Sequence, residues 1–126
     1  MELTGEAARE RAYGMVPFTM WGDDVPGMKP IMEMHKKNHP NDTHTQPYVQ
    51  GWTSVMVMWE AMKTAKTMDA AGLKAALETI KDFDTGGLSA PITFTSTDHR
   101  PNTSLRIMKV DKDGKIVLVK QVSVKR

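Results

Sequence analysis

The motif in this sequence with the most direct link to catalysis is Asp84-Thr85-Gly86. An aspartic protease presents its catalytic carboxylate on such a motif, and it uses two carboxylates that share one proton. That arrangement requires a loop between strands of an all-β body, whereas helical patterns precede the motif here. Asp and Gly both favour turns. We therefore predict a turn after a helix at this position, without a catalytic role.

Three histidines lie close together in the segment HKKNHPNDTH, at positions 35, 39 and 44. His35 and His39 are spaced so that a helix would place both imidazoles on one face, as in some zinc sites. No acidic residue stands at the intervening position where a zinc protease carries its general base. We predict a solvated helix end here and no bound metal.

The segment Asp111-Lys112-Asp113-Gly114 resembles the middle of a calcium-binding loop. The bidentate acid that closes such a loop at its twelfth position is absent, because Val122 occupies that position. We predict the turn of a β-hairpin instead. Asp98 and His99 are neighbours, but adjacency alone does not build a catalytic triad. Together these motifs predict a protein that is not an enzyme and binds no cofactor.

Aromatic and amide side chains stand in or beside the loops that lead into predicted helices. Sites for small ligands are apolar clefts with a few polar groups near the ends of such elements. The candidates for ligand contact are Phe18, Trp21, Tyr48 and Gln50. Core packing is the alternative interpretation for this set, and for Trp52 we prefer it.

Composition places the chain among globular proteins. It has 126 residues, of which 40% are hydrophobic and 25% charged, with a net charge of +2 and no cysteine. The balanced charge gives no reason to expect a nucleic-acid partner, and the absence of cysteine excludes disulfides and thiolate metal sites. The first residues lack a basic region followed by an apolar one, so we expect no signal peptide. No apolar run reaches the roughly 18 residues that cross a bilayer.

Hydrophobic periodicity predicts a mixed α/β or α+β fold of about three helices, a small sheet and a C-terminal β-hairpin. The predicted helices are 28–38, 46–66 and 70–81, and the predicted strands are 12–18, 92–95, 104–110 and 115–119. Apolar residues cover more than half the circumference of the helix at 46–66, at positions 48, 49, 52, 55, 56, 58, 59 and 62. A helix with so wide a stripe is packed on more than one side, so we predict that it is the central helix of its layer.

Three long segments together resemble a known family: YVQGWTSVMVMWEAMKTA, GLKAALETIKDFDTGGLSAPITFTSTDHRPNTSLRIMKV and DGKIVLV. They are similar to the C-terminal third of periplasmic solute-binding proteins of the leucine/isoleucine/valine-binding type, which serve ABC transporters. The resemblance implies that residues 1–126 are a single fragment of a type I periplasmic binding fold. Segments 1–20 and 103–126 would belong to its second lobe and 26–96 to its first lobe, with crossovers near 19–27 and 96–102.

The resemblance also implies a function for the parent protein. It would be a non-catalytic, periplasmic component of an ABC importer, binding a branched-chain or related amino acid and delivering it to an ABC permease. Phe18, Trp21 and Tyr48 would lie near the mouth of the ligand cleft. Helices that lack their usual sheet would expose apolar faces, so we expect a homo-oligomer. The alternative is a small stand-alone interaction domain that oligomerises through its Met- and Trp-rich helix.

Overall fold

The computed structural model describes residues 6–123. Its elements in chain order are β1 (Tyr13–Val16), α1 (Met28–Asn38), α2 (Gln46–Thr64), α3 (Ala70–Leu77), β2 (Ser104–Val110) and β3 (Ile116–Ser123). The chain divides into two compact units. The sheet unit contains Met1–Pro17 and Thr103–Arg126, and the helical unit is the continuous segment Phe18–Asn102. The assignment of particular segments to the two lobes of a binding protein stays a prediction.

The sheet unit is a three-stranded antiparallel sheet with the order β1-β2-β3. β1 pairs with β2 from Tyr13 opposite Lys109. The predicted hairpin turn between β2 and β3 is confirmed, and Gly114 adopts the positive φ that it requires. The carboxylate of Asp111 accepts hydrogen bonds from the backbone N–H groups of Asp113 and Lys115. This carboxylate therefore stabilises the hairpin turn.

The helical unit contains two hydrophobic clusters. One is centred on Val57, Ala61, Ala76, Ile80 and Ile92, and joins α2 to α3. The other is centred on Met28, Ile31, Val49 and Leu88, and joins α1 to α2. α2 contributes to both clusters, so it connects the other two helices. No helix within residues 6–123 has the length and apolar character needed to cross a membrane.

α2 is buried along one line only, which corrects the prediction of packing on several sides. Its buried residues are Val49, Thr53, Val57 and Ala61, at every fourth position. Tyr48, Trp52 and Met56 are half-buried against the cluster shared with α1. The other apolar residues of the stripe are exposed, with Val55 at 69% and Trp59 at 63% of their full area. The described residues cover α2 on the side of α1 and α3. Half of the apolar residues in its wide stripe are therefore exposed among residues 6–123.

Two further predictions about element bounds are wrong. α3 ends at Leu77, not at residue 81, because Thr79 and Ile80 bond three residues back in a tighter turn. No strand forms at residues 92–95. Ile92 makes an isolated bridge to Phe83, and the amide of Phe94 donates to the carbonyl of Ile80 at 3.0 Å. This segment thus packs as a loop over the end of α3.

The predicted turn at Asp84-Thr85-Gly86 is present. The carboxylate of Asp84 accepts from the backbone N–H of Gly86 at 2.8 Å, and Gly86 has a φ of +67°. Thr85 is fully buried, and its hydroxyl accepts from the amide of Ser89 at 2.9 Å. Gly86 also lies against the start of α1, where a Cβ would come within 2.9 Å of the Gly27 nitrogen. The motif therefore shapes a tight loop.

Candidate ligand-contact site

The loop that follows Phe18 is held firmly at its start. The amide of Thr19 donates to the carbonyl of Leu88 at 2.8 Å, and Thr19 itself is buried. The carboxylate of Asp23 accepts from the Thr19 hydroxyl at 3.0 Å and from the amide of Met20 at 3.1 Å. These bonds fold residues 19–23 into a compact bend. Trp21 lies at its centre.

Trp21 belongs to a group of four rings that we call the aromatic cluster: Trp21, His35, His39 and Tyr48. The centroid of His35 lies 5.0 Å from that of Trp21 and 5.0 Å from that of Tyr48, with edge-to-face geometry in both contacts. Trp21 and Tyr48 are 6.2 Å apart, and His39 lies 5.7 Å from Tyr48. Edge-to-face contacts at these distances are favourable. The cluster therefore joins the bend at Trp21 to the ends of α1 and α2.

Asp42 organises the connection between α1 and α2. Its carboxylate accepts from the amide of His44 at 2.8 Å and from the hydroxyl of Tyr48 at 2.9 Å. Its backbone carbonyl lies 3.1 Å from Nε2 of His35, which must carry the proton of this bond because a carbonyl only accepts. The bond from the His44 amide, followed by the bond from Tyr48, lowers the pKa of Asp42. Burial, followed by the bond to Asp42, raises the pKa of Tyr48.

Gln46, the first residue of α2, connects that helix to the bend. The backbone N–H of Trp21 donates to its Oε1 at 2.9 Å. Its Nε2 donates to the carbonyl of Thr19 at 2.8 Å. A side-chain amide has both the donor and the acceptor that this pair of bonds needs. Gln46 therefore ties two backbone groups of the bend to α2.

The structure brings some of the predicted ligand-contact residues together and separates others. Trp21 and Tyr48 share the aromatic cluster and are half-buried, which leaves part of each ring accessible. Phe18 packs against the same hydrophobic cluster as these two rings and also lines a separate cavity. Gln50 is exposed and lies two residues beyond Tyr48 on α2, about half a turn away. Trp52 packs against the core, as its preferred interpretation predicted.

The prediction of a solvated helix end is wrong for His35. His35 is only 9% exposed, because Trp21 and Tyr48 pack against its ring. His39 and His44 are exposed as expected. Among residues 6–123, no three histidine or acidic side chains stand close enough together to hold a metal ion.

Asp42 and Gln46 are residues of this site that sequence reasoning did not find. For Asp42 the signal was available, because an Asp in a polar segment between two helices commonly bonds the backbone two residues on. For Gln46 no local signal existed, because its partners lie more than twenty positions earlier in the chain.

An apolar cavity of about 230 Å³ lies elsewhere in the helical unit. Its lining includes Phe18, Met58 and Phe94. At its edge, Oδ1 of Asn102 is buried, and it has no hydrogen-bond partner among residues 6–123. A buried acceptor without a donor is unfavourable by about 1–3 kcal/mol. The cavity therefore combines apolar walls with one unsatisfied oxygen.

Comparison with known proteins identifies the family to which this chain belongs. The sequence model of the periplasmic binding protein family matches residues 1–115. The chain belongs to the periplasmic binding protein family. The resemblance stated from the sequence is thereby confirmed, and so is the α/β class of a partial binding-protein fold.

Individual relatives agree with this assignment. The Leu/Ile/Val-binding protein homolog 7 of Brucella suis is 26% identical over 122 residues, which are 94% of this chain and 30% of the relative. An ABC transporter substrate-binding protein from Aeropyrum pernix superposes with a TM-score of 0.78 at 27% identity, over 97% of this chain and 34% of that one. A branched-chain amino acid ABC transporter from Thermus thermophilus, solved with bound valine, has a similar fold, with a TM-score of 0.78 at 21% identity over 97% of this chain and 35% of that one. The chain thus spans about a third of the length of the relatives it matches.

Proposed function

We propose that this chain forms part of a solute-binding protein of an ABC importer for branched-chain or related amino acids. In this role it binds its ligand without catalysing a reaction and acts in the periplasm as part of the parent protein. It then delivers the ligand to an ABC permease. Trp21 and Tyr48 contact the ligand's side chain, with Phe18 and Gln50 at the margin of the site.

The observation that carries this proposal is the aromatic cluster. Trp21 and Tyr48 present two half-buried rings in one patch. His35 packs against both rings with edge-to-face geometry. Large rigid rings cover an apolar side chain at a low cost in conformational entropy. Relatives named for Leu, Ile and Val binding support an apolar amino acid as the ligand class.

The direct test is a thermal melt of the chain with leucine, isoleucine, valine and aromatic amino acids. A ligand at 100 times its dissociation constant stabilises the folded state by about 2.7 kcal/mol, which raises Tm by several degrees. Trp21→Ala should abolish this shift. Trp59→Ala removes another indole, exposed on α2, and should leave the shift intact. No shift with any amino acid would contradict binding by this chain.

A second candidate function, a stand-alone domain that oligomerises, is favoured by the surface of α2. We infer that two copies associate through its exposed apolar residues, which are Val55, Met58, Trp59 and Met62. Met58 also lines the apolar cavity. Exposed apolar patches of this kind commonly mark interfaces.

The oligomer is tested by the mass of the chain in solution at micromolar concentration. We expect a dimer or larger species for the wild type and a monomer for Trp59→Lys, because a charged side chain at the centre of the patch resists burial. Lys37→Met is the control, since it changes an exposed charge on α1 and should not alter the mass. A monomeric wild type would rule out self-association at this concentration.

A further inference from the structure

We propose that Gln46 is a positioning residue that sets the orientation of Trp21 in the ligand-contact site. The proposal rests on the proposed function only in supposing that Trp21 meets the ligand. The positioning itself follows from the contacts of the helical unit.

The bonds of Gln46 have the pattern of a β-bridge. Its Oε1 accepts from the backbone N–H of Trp21, and its Nε2 donates to the backbone carbonyl of Thr19, at 2.9 and 2.8 Å. A neighbouring strand would satisfy the same two groups, which lie on residues 19 and 21, with one carbonyl and one N–H. The side chain of Gln46 thus makes the two hydrogen bonds that a neighbouring strand would make to the bend.

The chemistry of the two bonds makes glutamine specific at this position. An ionised glutamate would accept from Trp21 but would turn a carboxylate oxygen toward the carbonyl of Thr19. Methionine has the same length but neither a strong donor nor a strong acceptor. A protonated glutamate restores the pattern, because its O–H can donate where the Nε2–H of Gln46 did.

The consequence for binding is preorganisation. The Trp21 ring touches His35 and Tyr48, but those contacts fix the ring only if its backbone is also held. Side chains that meet a ligand bind more tightly when a supporting residue holds them in place beforehand. Gln46 performs that support from the first turn of α2, without contacting the ligand.

The experiment uses the chain labelled with fluorotryptophan, whose three indoles give three ¹⁹F signals. Trp21→Phe assigns the signal of Trp21, and the remaining two signals report whether the rest of the chain is folded. Gln46→Met should shift and broaden the Trp21 signal alone. It should also weaken amino-acid binding about tenfold, equivalent to about 1.4 kcal/mol. Gln121→Met, which removes a side-chain bond to Ser104 in the sheet unit, is the matched control and should leave the Trp21 signal unchanged.

Gln46→Glu supplies a reversible version of the same test. At pH 7 its Trp21 signal should be displaced, and it should return to the wild-type position as the pH falls to about 4, where the introduced carboxyl becomes protonated. The wild type over the same range is the control. An unchanged Trp21 signal in both variants at pH 7, or a displaced signal that does not recover in acid, would overturn the proposal. If the wild type binds no amino acid, the proposed function fails, while the ¹⁹F signals still decide whether Gln46 positions Trp21.

Discussion

Tyr48 uses its ring and its hydroxyl group in different ways. The ring meets the edge of His35 and lies near Trp21, while the hydroxyl donates to the carboxylate of Asp42. The first contact holds the ring in the aromatic cluster, which we propose as the ligand-contact site. The second anchors the connection between α1 and α2, so a substitution at Tyr48 separates the two roles.

Tyr48→Phe keeps the ring and removes only the hydroxyl. We expect the pKa of Asp42 to rise toward its ordinary value without reaching it, because the larger cause of its depression, the bond from the His44 amide, remains. A depressed folded-state pKa means that the carboxylate stabilises the fold above the unfolded pKa of about 3.9 and that this contribution is lost as the pH falls through the folded value. The variant should therefore be less sensitive to acid below about pH 4.

A carboxyl ¹³C NMR titration of Asp42 measures this change directly. Tyr13→Phe is the control, because Tyr13 is exposed on β1 in the sheet unit and should not affect Asp42. An unaltered pKa of Asp42 in Tyr48→Phe would show that the hydroxyl does not bond this carboxylate in solution.

At the residue scale, sequence reasoning found the aromatic side chains but not their supports. Trp21 and Tyr48 were identifiable as large rings beside loops. The burial of His35 and the bonds of Gln46 both depend on which segment packs against the bend at 19–23. A pattern of residue types along the chain does not contain that information.

At the scale of elements, the residue types near each helix start predicted its position well. α3 begins at residue 70 as predicted, and the carboxylate of Asp69 caps it by accepting from the amide of Gly72 at 2.7 Å. The bounds of α1 match the prediction, since Gly27 and Pro40 confine it. The buried face of α2 was harder to predict, because the sequence of a helix that is apolar on most sides does not indicate which side its neighbours cover.

Two valines on α2 test which face is buried. Val57 is 7% exposed within the α2–α3 cluster, whereas Val55 is 69% exposed. Val57→Ala should lower the free energy of unfolding by about 2 kcal/mol, from lost burial and the cavity that remains. In the monomeric chain, at a concentration too low for self-association, Val55→Ala should change it by less than about 0.5 kcal/mol. Urea denaturation of both variants measures the difference, and equal losses would contradict the single buried face.

At the scale of the molecule, the family resemblance supplied what periodicity could not. Patterns predicted helices and a hairpin, but pairing between strands from opposite ends of the sequence leaves no periodic signal. The long segments shared with binding proteins carried the fold class, which the match over residues 1–115 confirms.

β3, one of the two outer strands of the sheet, is exposed along its whole length. Every residue of β3 is exposed, including the run Ile116–Val119. Two features limit unwanted pairing at this edge, a charged Lys120 and a bulge that leaves Val119 without a partner opposite Ile107 and Met108. Both are common protections of edge strands.

The insertion of the helical unit between β1 and β2 has a kinetic consequence. β2 and β3 are joined by a short turn and can pair within about 1–10 μs, as hairpins do. β1 must instead close a loop that contains the whole segment Phe18–Asn102, and the entropy lost in closing a loop grows with its length. Folding of the helical unit first would shorten that loop. β1 should then be the last strand to join its sheet, at a rate set by helices to which it does not belong.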